Sequence, residues 1–341
     1  MLRKVFLPLV LLVAPILASA HEAYVMPRAT FWTAMRARSG TDVWSALASA
    51  HNLGITLWVI VGVLVLLAVN ALFRRSALGQ RFHGFLDRHA RAGLVFVRVA
   101  IAVALFFSAA QWSFLGPELP IGQMPAPVLL RLMLFGMSIM IGFGVYTDFA
   151  GLLGSLVFLF GFATFGSYLF SYANYLGELV ALALFGSRSF SVDALLGRIS
   201  QRLKFWPQYE TTIVRVSYGF VLLYAAVTIK FMHADITLRV ISDWHLTQFH
   251  WLFPSDPLFL TLGAGIAEAV IGLFIMIGFE LRLTVLVSLF YITLSLLYFR
   301  EQVWPHVLLY GISLMLLTQP ETLTIDNILT RTFYAGTTAR A

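Results

Sequence analysis

The chain has 341 residues, no cysteine and a formal net charge of +7, with 60% hydrophobic against 11% charged residues. With a mean hydropathy of +0.85, such a chain cannot stay in water as a soluble domain, and an all-α, polytopic integral membrane protein is expected. The absence of cysteine excludes disulfides, iron–sulfur clusters, thiolate metal sites and a cysteine nucleophile supplied by this chain. The excess positive charge does not point to nucleic acid. It lies in segments flanking apolar runs, where it orients a membrane protein and meets anionic lipid.

The chain opens on Met1-Leu2-Arg3-Lys4, an apolar run from Val5 to Leu17, and Ala18-Ser19-Ala20. A basic start, a short apolar stretch and an A-x-A site form the pattern of a secretory signal peptide over 1–20, with an uncleaved anchor as the alternative. Cleavage after Ala20 makes His21 the first residue of a mature N-terminal segment, 21–91, that includes the first span. Apolar runs near bilayer length follow at about 54–73, 92–114, 127–145, 150–170, 172–186, 212–232, 258–279, 283–299 and 305–318, the fifth and ninth being short. They predict about nine transmembrane helices. With the mature N-terminus outside, alternation puts Arg74, Arg75, Arg81, Arg88 and Arg91 on the cytoplasmic side. Arg188, Arg198, Arg202, Lys204, Arg282, Arg331 and Arg340 fall there too, as the positive-inside rule requires. A bacterial-type inner membrane and a cytoplasmic C-terminus follow as expectations.

Within this series an internal repeat is visible. Val97-Arg98-Val99 opens the second span and Val214-Arg215-Val216 the sixth. IMIGF occurs at 139–143 and again at 275–279, and Ser191-Val192-Asp193 matches Thr324-Ile325-Asp326. Three matches in one order predict duplication into two parallel four-helix repeats, 92–195 and 211–330, with the first mature helix as an addition. The IMIGF register sets Leu132 opposite Glu268. It also gives the second copy 19 more residues, since Val97 to Ile139 is 42 and Val214 to Ile275 is 61. That surplus falls largely in the outer loop at 233–257.

The second copy resembles the DoxX-like membrane family. The resemblance rests on Arg215 and Gly219, on Gly265-Ile266-Ala267-Glu268 running to Gly272 and Ile277-Gly278-Phe279, on Arg282, and on the closing Thr324-Ile325-Asp326. It covers roughly 211–330 and, more weakly, 94–195. It implies a four-helix membrane module and says little about activity. One association of such modules is with subunits of thiosulfate:quinone oxidoreductase, which makes quinone a candidate cofactor.

Candidate functional residues fall into two groups. Glu268 lies near the middle of its span, where an ionisable group costs about 2.5–3.5 kcal/mol to insert, and Glu178 is similarly deep. With Arg215 they suggest a polar pocket for a quinone headgroup or for proton transfer, against the alternative of structural pairing with an arginine. Arg98, Arg131 and Arg215 lie near span ends, where they can snorkel. The second group is histidine. Of the eight histidines, His21, His51, His233, His245, His250 and His306 fall on the extracytoplasmic side and only His83 and His89 on the other. His21 would carry an amine and an imidazole on one residue, a pair that suits copper, with His233, His245 and His250 as further ligands. A mobile tail is the plainer reading of His21. His306 after Pro305 is either a proton-handling residue beside Glu268 or a marker of the membrane interface. Two functional classes remain open. One is an oxidoreductase subunit or accessory protein delivering electrons to quinone. The other is a copper-handling or assembly protein serving a periplasmic or membrane protein partner. A non-catalytic scaffold is the third.

Overall fold

The computed structural model describes residues 25–37, 39–186, 190–197, 206, 208–248, 255–300, 302–319 and 323–327. The signal-like segment, His21 and His250 lie outside these. The described chain is all-α. It contains six helices long and apolar enough to cross a membrane and two shorter apolar ones, Pro127–Phe143 and Trp304–Thr318. One of the six, Thr147–Phe185, is a hairpin. Its limbs α6 (Thr147–Phe165) and α7 (Ala173–Phe185) pack side by side, joined by the tight turns Gly166–Tyr172.

Among the described residues, three helices precede the bundle. The first, α1 (Arg28–Arg36), follows Pro27 and lies on the 111–126 loop, where Trp32 Nε1 donates to the Glu118 carbonyl at 3.4 Å. Next comes α2 (Ala50–Arg75), whose 26 residues reach about 39 Å at 1.5 Å per residue. From 57 to 66 it is exposed on every side, as a helix apolar all round is in lipid. Only its ends are tied. Asn52 donates to Asp256 at 2.8 Å, and Asn70 and Arg74 to Glu280 at 2.8 and 2.9 Å. The third, α3 (Ala77–Arg88), is capped by Ser76 and turns Leu78, Phe82 and Phe85 outward beside exposed Arg81 and Arg88. That is the pattern of a helix lying in a membrane surface. Arg282 holds it to the bundle through His83 Nδ1 at 2.6 Å and through Asp87. This end of the molecule, with Arg74, Arg75, Arg81, Arg88, Arg91 and Arg282, is termed the basic end, and the other the loop end.

Eight helices close a ring: α4 (Ala90–Ala110), α5 (Pro127–Phe143), α6, α7, α8 (Gln208–Ala225), α10 (Pro257–Ile277), α11 (Leu281–Tyr298) and α12 (Val307–Thr318), which returns to α4. A short helix, α9 (Ala234–Asp243), lies between α8 and α10 at the loop end. Small residues set the close approaches. A Cβ on Gly177 of α7 would meet Ser217 Oγ and the Ile213 carbonyl of α8. A Cβ on Gly311 of α12 would meet Ala100 Cβ and the Phe96 carbonyl of α4. The two contacts use corresponding residues, since Ser217 and Ile213 lie 117 positions after Ala100 and Phe96 and Gly311 lies 134 after Gly177.

Other geometry recurs at these offsets or, for two carbonyl acceptors, within one residue of them. Arg98 Nη2 donates to the Phe190 carbonyl at 2.7 Å, and Arg215 Nη2 to the Leu323 carbonyl at 2.8 Å. Both acceptors have positive φ, 49° and 51°. Helix α5 ends on Gly144 with φ 70° and α10 on Gly278 with φ 69°. Two residues on, Tyr146 and Glu280 are again left-handed, at 46° and 42°. These pairs correct the register read from IMIGF. The helix-ending glycines differ by 134 positions and the pentapeptides by 136, so the pentapeptide match is out of step by two. The counterpart of Glu268 is buried Leu134, not Leu132, which is 62% exposed. The surplus in the second half becomes 17 residues, the difference between offsets of 134 and 117. The correction has a physical source: in so apolar a chain a short hydrophobic string recurs by composition, whereas a left-handed turn recurs only where the backbone needs it.

Candidate functional site: a buried lysine–glutamate pair

Glu268 is the twelfth of the 21 residues of α10, at mid-helix. Its partner is Lys230, which no sequence reading had singled out. Lys230 Nζ lies 2.7 Å from Glu268 Oε2, with the side chains 8% and 10% exposed. Local backbone chemistry makes this contact. After Ala225 helix α8 widens into a π-turn over Ala226–Phe231, closed by Met232 N–H donating to the Val227 carbonyl at 3.0 Å. Such one-turn π-segments are rare and favour functional sites. On α10, Gly265 lets this turn come close, because a Cβ there would lie 2.4 Å from the Phe231 ring and 3.1 Å from Lys230 Cβ.

Two opposite charges in contact away from water recover much of their desolvation cost, so the pair is tolerated where either alone is not. Glu268 Oε2 accepts no aligned hydrogen bond among the described residues, despite the short ion-pair distance. At 2.7 Å the two groups are in direct ionic contact. A buried ammonium beside a carboxylate can bind a polar headgroup and exchange a proton with it.

The remaining candidates fall elsewhere. Glu178 is 3% exposed on α7, in the interface with α8, and makes no hydrogen bond or ion pair among the described residues. Arg215, expected to contact a cofactor, donates to the Leu323 carbonyl and ties it to the α10–α11 turn, with Gly278 leaving room for its guanidinium. His306 is buried at the entry to α12, its Nδ1 3.0 Å from the Gln302 carbonyl. His233 Nδ1 lies 2.7 Å from the Thr228 carbonyl, and His245 is exposed. Helix α9, with its 10 residues, puts about 15 Å between His233 and His245. Imidazoles sharing one metal must bring their nitrogens within about 4 Å, so these two do not share one. The stretch 234–243 of the outer loop folds as a helix between them. Among the described residues no group of three or more His, Asp or Glu is placed to hold a metal ion.

A second buried carboxylate also escaped the sequence reading. Glu118, in the 111–126 loop, accepts hydrogen bonds from Tyr172 at 2.6 Å and Tyr168 at 3.0 Å. Phe31 and Trp32 of α1 pack edge-on against Tyr168 and close the cluster. It clamps the N-terminal segment to the first half of the ring. Lys230 was findable, since it is the one charge in the apolar run 216–232. Nothing in sequence marks Glu118, because a glutamate in a loop reads as solvated.

Comparison of the chain with protein-family models, curated proteins and solved structures gives no match in any of the three.

Proposed function

We propose that the chain is a bacterial-type inner-membrane protein whose Lys230–Glu268 pair is a headgroup site for a quinone, in a redox subunit or accessory protein supplied with electrons by a partner. The observation that carries this is the pair itself: opposite charges 2.7 Å apart, nearly buried and held at mid-helix by a π-turn and a glycine. Intramembrane ionisable groups mark substrate or proton pathways by default. Lys230 would donate to a headgroup oxygen as negative charge develops there, and Glu268 would exchange the proton. Quinone is named as the ligand class because 211–330 resembles DoxX-like modules, one association of which is with quinone-reducing subunits. In this proposal nine helices span the membrane as an N-terminal helix plus two parallel four-helix units. The copper alternative now rests on His21 and His250, outside the described residues, and no observed geometry favours it.

Titration of the purified protein in nanodiscs with a short-chain benzoquinone tests the site. Saturable binding is expected, weakened about tenfold or more by Glu268→Gln, about the value of a lost hydrogen bond to a charged group. Unaltered affinity in the Lys230→Met/Glu268→Met double variant would falsify the assignment. Orientation is testable separately, because the chain has no cysteine. The proposal places the basic end in the cytoplasm, so an impermeant thiol reagent applied to intact cells should label Thr247→Cys and spare Ser76→Cys. The reverse pattern would invert the topology.

A further inference from the structure

The correspondence between the two halves of the ring supplies an internal control for its polar residues. Helices α4 and α8 hold equivalent places, each packed against the last helix of the other half. Around α8 a set of buried polar side chains runs from the basic end toward the Lys230–Glu268 pair, and each has an apolar counterpart around α4. Glu178 corresponds to Ile312, Tyr218 to Ile101, Ser288 to Gly154, Ser313 to Leu179 and Glu268 to Leu134. The first four are at most 3% exposed. The fold therefore does not need polarity at these places, since its other half is built without it.

Contacts order the set by depth. Glu210 is the third residue of α8, at the basic end. Gly177, next to Glu178, abuts Ser217, the neighbour of Tyr218. The Tyr218 hydroxyl joins Ser288 at 2.9 Å and Ser313 at 3.2 Å, linking α8 to α11 and α12. Gly272 of α10 touches the backbone of α8 at Gly219, and Glu268 lies one helical turn, about 6 Å, nearer the loop end. The strongest single point is Glu178. A buried carboxyl kept for structure would be paired with a cation or a donor, because burying it alone is costly. Among the described residues it has neither.

We propose that this one-sided file conducts protons between the basic end and the Lys230–Glu268 pair. A proton leaves water at the basic end, resides on the Glu178 carboxyl, passes by way of the Tyr218–Ser288–Ser313 hydroxyls, and arrives on the Glu268 carboxylate. Bridging waters complete the steps between them, as is usual at buried polar groups. The proposal deepens the quinone reading and rests on it, since a quinone taking two electrons at the pair also takes two protons.

The test uses the full-length protein in liposomes containing a pH-sensitive dye, with a potassium gradient and valinomycin imposing the potential. Proton flux should exceed that of protein-free vesicles, fall about tenfold or more in Glu178→Gln, as for loss of a proton-transferring group, and return in part with Glu178→Asp. Tyr218→Phe should also lower it, whereas Glu118→Gln, a buried carboxyl outside the file, should not. Wild-type flux no greater than that of protein-free vesicles, with and without added quinone, overturns the proposal. So does an equal loss in Glu118→Gln. Quinone binding by the same preparations separates the two readings: binding without flux rejects the proton file alone, and flux without binding rejects the quinone site alone.

Discussion

Lys230→Met should be among the most damaging single substitutions in this protein, and a second substitution should repair it. Removing the ammonium leaves Glu268 buried with no counter-charge, at a cost of about 3–5 kcal/mol. Replacing both residues removes the charges together and fills the space with flexible apolar side chains. Lys230→Met/Glu268→Met should therefore recover most of the lost stability, since a well-packed apolar replacement of a buried ion pair is often neutral or better. The measurement is a double-mutant cycle on unfolding of the detergent-solubilised protein. Additive losses would mean that the two side chains do not depend on one another. A repaired double variant that no longer binds quinone would separate stability from function, because the same residues would then be dispensable for the fold and required for the site.

The second large effect is expected at Gly272. A Cβ there would lie 2.6 Å from the Gly219 carbonyl and 2.8 Å from the Leu223 amide nitrogen. Both neighbours are backbone, so relief requires α8 and α10 to part rather than a side chain to rotate. Gly272→Ala should cost about 3 kcal/mol, the upper end for an overpacked contact. It should also pull Lys230 away from Glu268, because the same pair of helices carries both. Gly136→Ala is the control: nothing lies within 4 Å of its Cβ position, and alanine is the better helix former by about 1 kcal/mol. Thermal unfolding of the two variants beside wild type checks the pair. Similar midpoints for Gly272→Ala and wild type would show that the helices are not held at this crossing.

The helices were legible in the sequence because hydrophobic length is a local property. Runs such as 92–114 and 258–279 coincide with α4 and α10, and the short runs 172–186 and 305–318 with α7 and α12, each entered through a tight turn. The repeated arginines were legible as well, and the structure gives Arg98 and Arg215 the same carbonyl-binding task. The register between the halves was not, since IMIGF is a short apolar string of the kind that recurs by composition in a chain 60% hydrophobic. Of the site, sequence offered Glu268 and withheld Lys230, which sits inside an apolar run but near its end, where a lysine reads as snorkelling to the surface.

What the sequence determined by itself is an all-helical, polytopic chain, read there as about nine apolar spans where the structure describes six helices long and apolar enough for a membrane and two shorter ones, and a carboxylate at the middle of one of them. Composition and period carry that information, and neither needs a partner to be read. Only the tertiary structure decided what the polar residues do. A π-turn rather than a regular turn placed Lys230 on Glu268. A helix across 234–243 held His233 and His245 apart. The closing segment took up Arg215. Each outcome depends on which helices lie side by side and at what height, and that is set by small-residue contacts between segments far apart in the chain, where the pattern along one helix is silent about its neighbour.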